Sequence, residues 1–409
     1  MLPASALPKL EHRPSFALLD GVKILDLTTS IAGPYGTMLL GDLGAEIVKL
    51  ERPGRGDDSR AWGPPFLEGE SLWFLSVNRN KASVTLDYAS ELGRPVLHDL
   101  VREADVVVTN LVPRVQAKLG IDHMSLHAIR PDLIHVSLTG FGLTGARSSR
   151  SAYDLIAEGY SGVMDITGEP DSPPQKVGTA AADLLAGMDA VIGTVSALFE
   201  RARSGQGHVV DISMVESMTR FLTPRIVTYL GSGEVPRRSG ARDSVIAIYQ
   251  AFETADDPIT LGLGNDGLWQ RFWVAVGRPD RGEDPRHATN ALRHADRTAI
   301  VAEIQSLLRE NGRSHWLDLF ERAGIPAGPI NRVDEIAADP ALIERGFLFT
   351  IPKHDRSIPQ VGLGIQIDGQ PCAPRMAPPD LGQHTDEILA RWAGYDAARL
   401  AELRSQGVI

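Results

Sequence analysis

As far as residue 214 the chain alternates short apolar runs with helical stretches, and this alternation restricts the fold more than any other feature. Residues 22–28, VKILDLT, read as a buried strand. Ala32-Gly33-Pro34 then opens a helix, with proline suited to a first turn, and Leu43-Gly44 ends it. AEIVKLE at 45–51 is the next strand, which completes a βαβ unit. The series continues with SVTLDY (83–88), an amphipathic helix over 91–104, DVVVTNL (105–111), LIHVSLTGFG (133–142) and HVVDISM (208–214). Strands separated by helices predict an α/β protein with a parallel, Rossmann-like sheet.

A chain of 409 residues exceeds one ordinary core, so two domains are expected. The texture changes near residue 220. Residues 221–240 lie in a stretch rich in Gly, Ser, Pro and Arg and read as a linker. Residues 241–335 read as a smaller α/β domain, with strands in AIYQAFET and ITLGLG and helices around 267–277 and 297–311. Mixed loop and strand follow Pro340, and a helix starts near Thr385.

A net charge of -11 argues against nucleic acid as partner. No stretch of about 18 uncharged apolar residues is found, so no membrane span is expected. The opening MLPASALPKLEHRPSF has charges and prolines where a signal peptide needs an apolar core. A single cysteine, Cys372, allows no internal disulfide, in keeping with a reducing compartment, and a cytoplasmic location is expected. His384-Thr-Asp-Glu reads as a helix start, and no metal is expected.

An opening βαβ unit invites a dinucleotide reading, and Glu51 stands where an NAD enzyme places its ribose acid. The loop, however, reads TTSIAGPYG: only Gly33 and Gly36 are glycine, and Pro34 lacks an N–H. Arg52 follows Glu51, and a guanidinium suits a phosphate better than a hydroxyl. The sheet is therefore expected to hold an adenosine phosphate rather than NAD.

In KVGTAAADLLAGMDAVIGTVSAL (176–198) a single acid, Asp183, separates small residues from a long apolar helix. Either it caps the helix, or the small residues clear room for a bulky group that Asp183 attacks. Leu184, Met188, Val191, Val195, Leu198 and Ala202 recur at helical spacing. Ala186, Ala190, Gly193 and Ala197 form a second stripe that would admit a closely packed backbone.

Several segments resemble the family III CoA-transferases, the carnitine CoA-transferase and bile-acid-inducible group. They are ILDLTTSIAGPYGTMLLGDLGAEIVKLERPGRGDDSR near the start, NRNKASVTLD (78–87), ADVVVTNL (104–111), YDLIAEGYSGVMDITGEPDSPPQKVGTAAADLLAG (153–187), GIPAGPINRVDEIAADP (324–340) and LGQHTDEIL (381–389). The resemblance implies a large Rossmann-like CoA-binding domain built from both chain ends, 1–220 and 341–409. It also implies a homodimer whose chains interlock like links, and coenzyme A thioesters as substrates with no permanently bound cofactor. Gly178 and Asp183 match the motif of the nucleophile, which would take the acyl group of an acyl-CoA donor and hand CoA to a carboxylic acid acceptor. A carboxylate of reference pKa about 3.9 needs no base for this, and free N–H groups at the helix start would steady the oxyanion. Ile31, Ala32, Arg52, Leu86, Asn110 and Lys118 match CoA-contact positions, and Tyr153 and Asp154 match the acceptor-side wall. Arg147 and Arg150 precede that wall, and their position and charge favour a dicarboxylate.

The chain departs from the family at three places. Ile31 and Ala82 replace polar or basic residues, and a glycine run in the small domain shrinks to Gly262-Leu-Gly264. An α-methylacyl-CoA racemase is the alternative, but there a histidine precedes the acid that Asp154 matches. A phenol of reference pKa about 10 in its place is a poor proton shuttle. A non-catalytic CoA-binding protein is the remote alternative, against which the intact GTAAADLLAG run argues.

Overall fold

The computed structural model describes residues 3–9 and 16–409; part of the opening segment read for a targeting signal lies outside them. The chain divides into two compact units, one of residues 1–163, 176–232 and 339–409, the other of 164–175 and 233–338.

The first unit is built on six strands: β1 (Lys23–Asp26), β2 (Glu46–Glu51), β3 (Lys81–Thr85), β4 (Val106–Thr109), β5 (Ile134–Thr139) and β6 (His208–Ser213). All pair in parallel, in the order β3-β2-β1-β4-β5-β6. This is the doubly wound order, which reverses between β1 and β4 and opens a crevice at the carboxyl ends of those strands. Helices cover both faces, so β4 and β5 are buried at every position, as parallel strands require. The helices that matter for the site are α1 (Ala32–Asp42), α2 (Gly93–Glu103), α3 (Pro113–Leu119), α4 (Asp154–Ser161) and α5 (Ala181–Ser204).

The chain end returns to this unit. Helix Thr385–Ala393 packs on α2 and β3, and Trp392, Leu400, Leu403 and Val408 join the core under the sheet. Thr385 Oγ1 accepts the Thr85 N–H at 3.0 Å and His384 Nδ1 accepts the Ser83 N–H at 3.2 Å, which covers the edge strand β3. His384 is therefore a backbone acceptor, and among the described residues no group of acids, histidines and cysteines is arranged to hold a metal.

The face that α5 buries differs from the apolar stripe. Ala182, Ala186, Gly187, Ala190, Thr194 and Ala197 are buried, whereas Met188 and Val195 of the apolar stripe are exposed. The cause is the crossing with α1. A Cβ on Gly36 would stand 2.8 Å from the Gly187 carbonyl oxygen, and one on Gly187 only 2.7 Å from that of Ala32. Larger side chains do not fit between the two backbones. By length and hydropathy α5 is also able to cross a bilayer, contrary to the expectation from composition, but here its small-residue side packs on α1 and the sheet. The linker is likewise not irregular throughout. Thr223–Ser232 is a helix, with Pro224 in its first turn where a missing N–H costs nothing.

In the second unit Tyr249–Phe252, Ile259–Gly262 and Ala327–Pro329 form an antiparallel sheet. Helices Asp266–Ala275 and Arg297–Leu308 appear near their expected places. A further helix, Arg313–Arg322, buries Trp316 and Phe320 and was hidden in the sequence by its charge.

Gly187→Ala should lower stability by about 1–3 kcal/mol, because the new methyl meets backbone that cannot yield. Gly178→Ala, whose Cβ would meet nothing within 4 Å, should leave the melting temperature nearly unchanged. Thermal denaturation of the two variants tests the crossing.

Candidate active site

The loop between β1 and α1 is held from below by buried charge. Asp26, Lys49 and Lys81 have no exposed side-chain surface. Asp26 accepts the Thr28 N–H at 2.9 Å, the Thr28 hydroxyl, and the Thr37 hydroxyl at 2.7 Å, and it pairs with Lys81 at 3.0 Å. Lys81 spends its other two donors on the Pro34 carbonyl and Asn78 Oδ1, so all three ammonium hydrogens are placed and the group is a cation. Lys49 donates to the Thr28 carbonyl at 2.7 Å and pairs with Asp57 at 2.8 Å. Burial alone would raise Asp26, but Lys81, Lys49 and the two hydroxyls outweigh it and hold the carboxyl far below its ordinary range. Burial pulls Lys81 down to about 8 against the support of Asp26. Asp57 also accepts the Ser30 N–H at 3.0 Å, which fixes Ser30 in the left-handed region at φ 70°. Asn110 closes the ring by exchanging two hydrogen bonds with the Thr29 backbone.

Above this frame, at the carboxyl ends of β1 and β2, lies a cavity of about 470 Å³ lined by Thr28, Thr29, Arg52, Leu86, Tyr88, Arg94 and Lys118 among others. The structure thus brings together three of the six expected CoA contacts, Arg52, Leu86 and Lys118. The other three are close in the chain but do not line the cavity: Asn110 pins the loop, and Ile31 and Ala32 are buried where the loop turns into α1. Arg94, at the start of α2, was missed by the sequence reading and adds a third exposed cation. Of the acids on the rim, Asp58 is engaged by Arg55. Glu51 is unavailable to a ribose: its oxygens take Arg60 twice at 2.8 Å, the Ser83 hydroxyl and the Asp57 N–H.

The same loop leads to Asp183. Ala32 touches Gly187 on α5, and Asp183 lies one turn earlier, at the third position of that helix. Asp183 is not the cap. The N-cap residue is Ala180, and the capping is done from α4, where Asp154 Oδ1 accepts the Ala182 N–H at 2.8 Å and the Asp183 N–H at 3.4 Å. The amides of Ala181 and Leu184 bond to the Thr179 and Ala180 carbonyls. The expectation of free helix-start donors for an oxyanion is thereby corrected: these four amides are taken. The Asp183 carboxylate, half-buried, accepts no hydrogen bond among the described residues. Burial, with the Asp154 charge beside it, pushes it up to about 7. It is therefore only partly ionised at neutral pH, unlike the free carboxylate expected from the sequence.

Tyr153, expected on the acceptor wall, is 68% exposed at the N-cap of α4 and bonds through its backbone. Arg147 and Arg150 are exposed and converge on Tyr160 of the same helix. The guanidinium of Arg147 sits 5.0 Å from the ring centre, and Arg150 Nη1 donates to the phenol oxygen at 2.9 Å.

The model for CoA-transferase family III matches residues 19–385. Succinyl-CoA:glutarate CoA-transferase of Mus musculus is 37% identical over 96% of this chain and 90% of its own. Acetyl-CoA:oxalate CoA-transferase of Acetobacter aceti is 38% identical over 80% and 85% respectively. The crystal structure of a CaiB/BaiF family protein from Brucella suis superposes with a TM-score of 0.81 at 37% identity, covering 93% of this chain and all of that one. The chain belongs to CoA-transferase family III and is a CoA-transferase.

Proposed function

We propose that the enzyme moves CoA from an acyl-CoA thioester to a small dicarboxylic acid through Asp183. The observation that carries this reading is the Asp183 carboxylate, released from capping by Asp154, free of hydrogen bonds and pushed up to about 7. A desolvated, more basic carboxylate is a stronger nucleophile than a solvated one. Its oxygen attacks the thioester carbonyl, the C–S bond breaks, and a mixed anhydride and CoA thiolate result. The thiolate attacks the aspartyl carbonyl, giving an enzyme–CoA thioester and releasing the donor as its carboxylate. The acceptor carboxylate attacks that thioester, again expelling the thiolate, which then attacks the acceptor carbonyl and restores Asp183. Thioester energy is conserved throughout and no other reactant is needed.

Arg52, Arg94 and Lys118 support the nucleotide end of CoA in the cavity, with Leu86 as apolar wall. The racemase alternative fails to find its second proton carrier, since Tyr153 projects to the surface. Exposed Met188, Ile192 and Phe199 on α5 support a homodimer, and the single thiol of Cys372, buried against the Asp42 carbonyl, is consistent with a cytoplasmic enzyme. Relatives that are named for glutarate, oxalate and D-citramalate support a dicarboxylate acceptor, as do Arg147 and Arg150.

Incubation with a panel of acyl-CoAs without acceptor should leave a CoA-sized mass on Asp183, absent in Asp183→Asn; deuterium exchange at the acyl α-carbon with no adduct would instead establish the racemase. The acid limb of kcat/KM should lie near pH 7, with rate lost as pH falls and Asp183 takes up its proton. Asp154→Asn, which keeps an acceptor for the two amides but removes the neighbouring charge, should shift that limb to lower pH. Arg147→Ala and Arg150→Ala should each raise KM for a dicarboxylate about tenfold and leave a monocarboxylate of equal length unaffected. An unchanged dicarboxylate KM in both variants would remove these arginines from the acceptor site.

A further inference from the structure

One buried acid near Asp183 has no part in the mechanism above. Glu158 lies on α4 one turn after Asp154, and no part of it is exposed. Its Oε2 accepts the Val177 N–H at 2.8 Å, and Oε1 is buried without a conventional donor. The Asp154 carboxylate is within hydrogen-bonding reach. Asp154, Glu158 and Asp183 thus form a chain of acids around the start of α5, and none of them is in an ion pair among the described residues.

The charged surroundings are few. Lys176 is exposed and turns its ammonium to the Val177 carbonyl at 2.8 Å. Helix Met214–Phe221, packed along α4, offers Glu216 and Arg220, and Arg220 is held by Asp189. Lys176 is the one cation that bears on Glu158, and its effect is smaller than that of Asp154; two neighbouring carboxylates so placed share a proton. Burial and the Asp154 charge favour the protonated form of Glu158, against the pull of the Val177 N–H.

We propose that Glu158 is a positioning residue that keeps its proton in the working enzyme, with Oε2 accepting from Val177 and Oε1–H donating to Asp154. The proposal rests on the reading of Asp183 as nucleophile. A proton placed on Glu158 serves two ends. It lets Asp154 remain a full acceptor for the first amides of α5, and it spares the site a second negative charge beside that of Asp154. The bond to Val177 also anchors the segment that leads through Gly178 into the nucleophile's helix. Glu158 touches no reacting atom; it acts through Asp154 and the backbone.

Glutamine reproduces the protonated acid: its amide oxygen accepts from Val177 and its NH₂ donates to Asp154. Glu158→Gln should therefore keep kcat within about threefold of the wild type, with the acid limb little moved. Glu158→Ala should lose about thirtyfold or more in kcat at unchanged KM for the donor. A fall in Glu158→Gln as deep as in Glu158→Ala would overturn the proposal. A direct readout does not depend on turnover. In an Asp183→Asn background at pH 7, infrared difference spectra with and without Glu158→Gln should show a protonated-carboxyl stretch that glutamine removes. Its absence would overturn the proposal even if Glu158→Ala fails to fold. If the wild type forms no CoA adduct, the nucleophile reading falls, whereas the infrared band still decides where the proton sits.

Discussion

Everything that positions the chemistry rests on charges with no access to water. Asp26, Lys49, Lys81 and Asp57 come from four separate chain segments and meet beneath one loop. Taking such ions out of water is expensive, and removal of a single partner from a buried pair typically costs about 3–5 kcal/mol. The cluster is tolerable because nearly every donor and acceptor is matched, by hydroxyls, by loop carbonyls and by each other. Hydrophobic packing alone would leave the five-residue turn 27–31 free to choose among conformations. Ionic bonds of fixed direction select one, including the left-handed backbone at Ser30.

The loop so fixed faces two ways. Thr28 and Thr29 form part of the cavity wall, and a few residues later Ala32 lies against the glycine of α5. The environment of Asp183 is then set by a third element. Asp154 relieves Asp183 of the helix-capping role that its position invites, and its own charge makes Asp183 reluctant to ionise. One carboxylate thus both frees the other and tunes it.

Much of this was legible in the sequence. The six strands follow from apolar runs and punctuation by glycine and proline, and their parallel order from the intervening helices. Asp183 stood out because a lone acid among small residues is conspicuous. Two things were not legible, and a third was legible only in part. The buried pairs join residues far apart in the chain, such as Asp26 with Lys81, and no local pattern announces them. The face that α5 buries follows from backbone approach rather than hydrophobicity: the small-residue stripe marked it at Ala186, Ala190 and Ala197, whereas the periodic apolar stripe pointed the wrong way. Capping from a distance also defeats local reasoning: the acid that caps α5 is Asp154, on another helix. Glu158 left only a faint trace, an acid four residues after Asp154 on the side of α4 where Ala157 and Ser161 are buried.

The glycine contact between α1 and α5 has an evolutionary corollary. It acts as a rigid spindle, so the distance between the loop that walls the cavity and Asp183 has almost no freedom to drift. The segment bearing Arg147 and Arg150 is under no such restraint; it lies on the surface and meets Tyr160 through side-chain tips alone. On the roles proposed for Asp183 and these arginines, a change of acid can arise in that segment while the helix crossing keeps the covalent step in place, which separates a rigid frame from an adjustable selector.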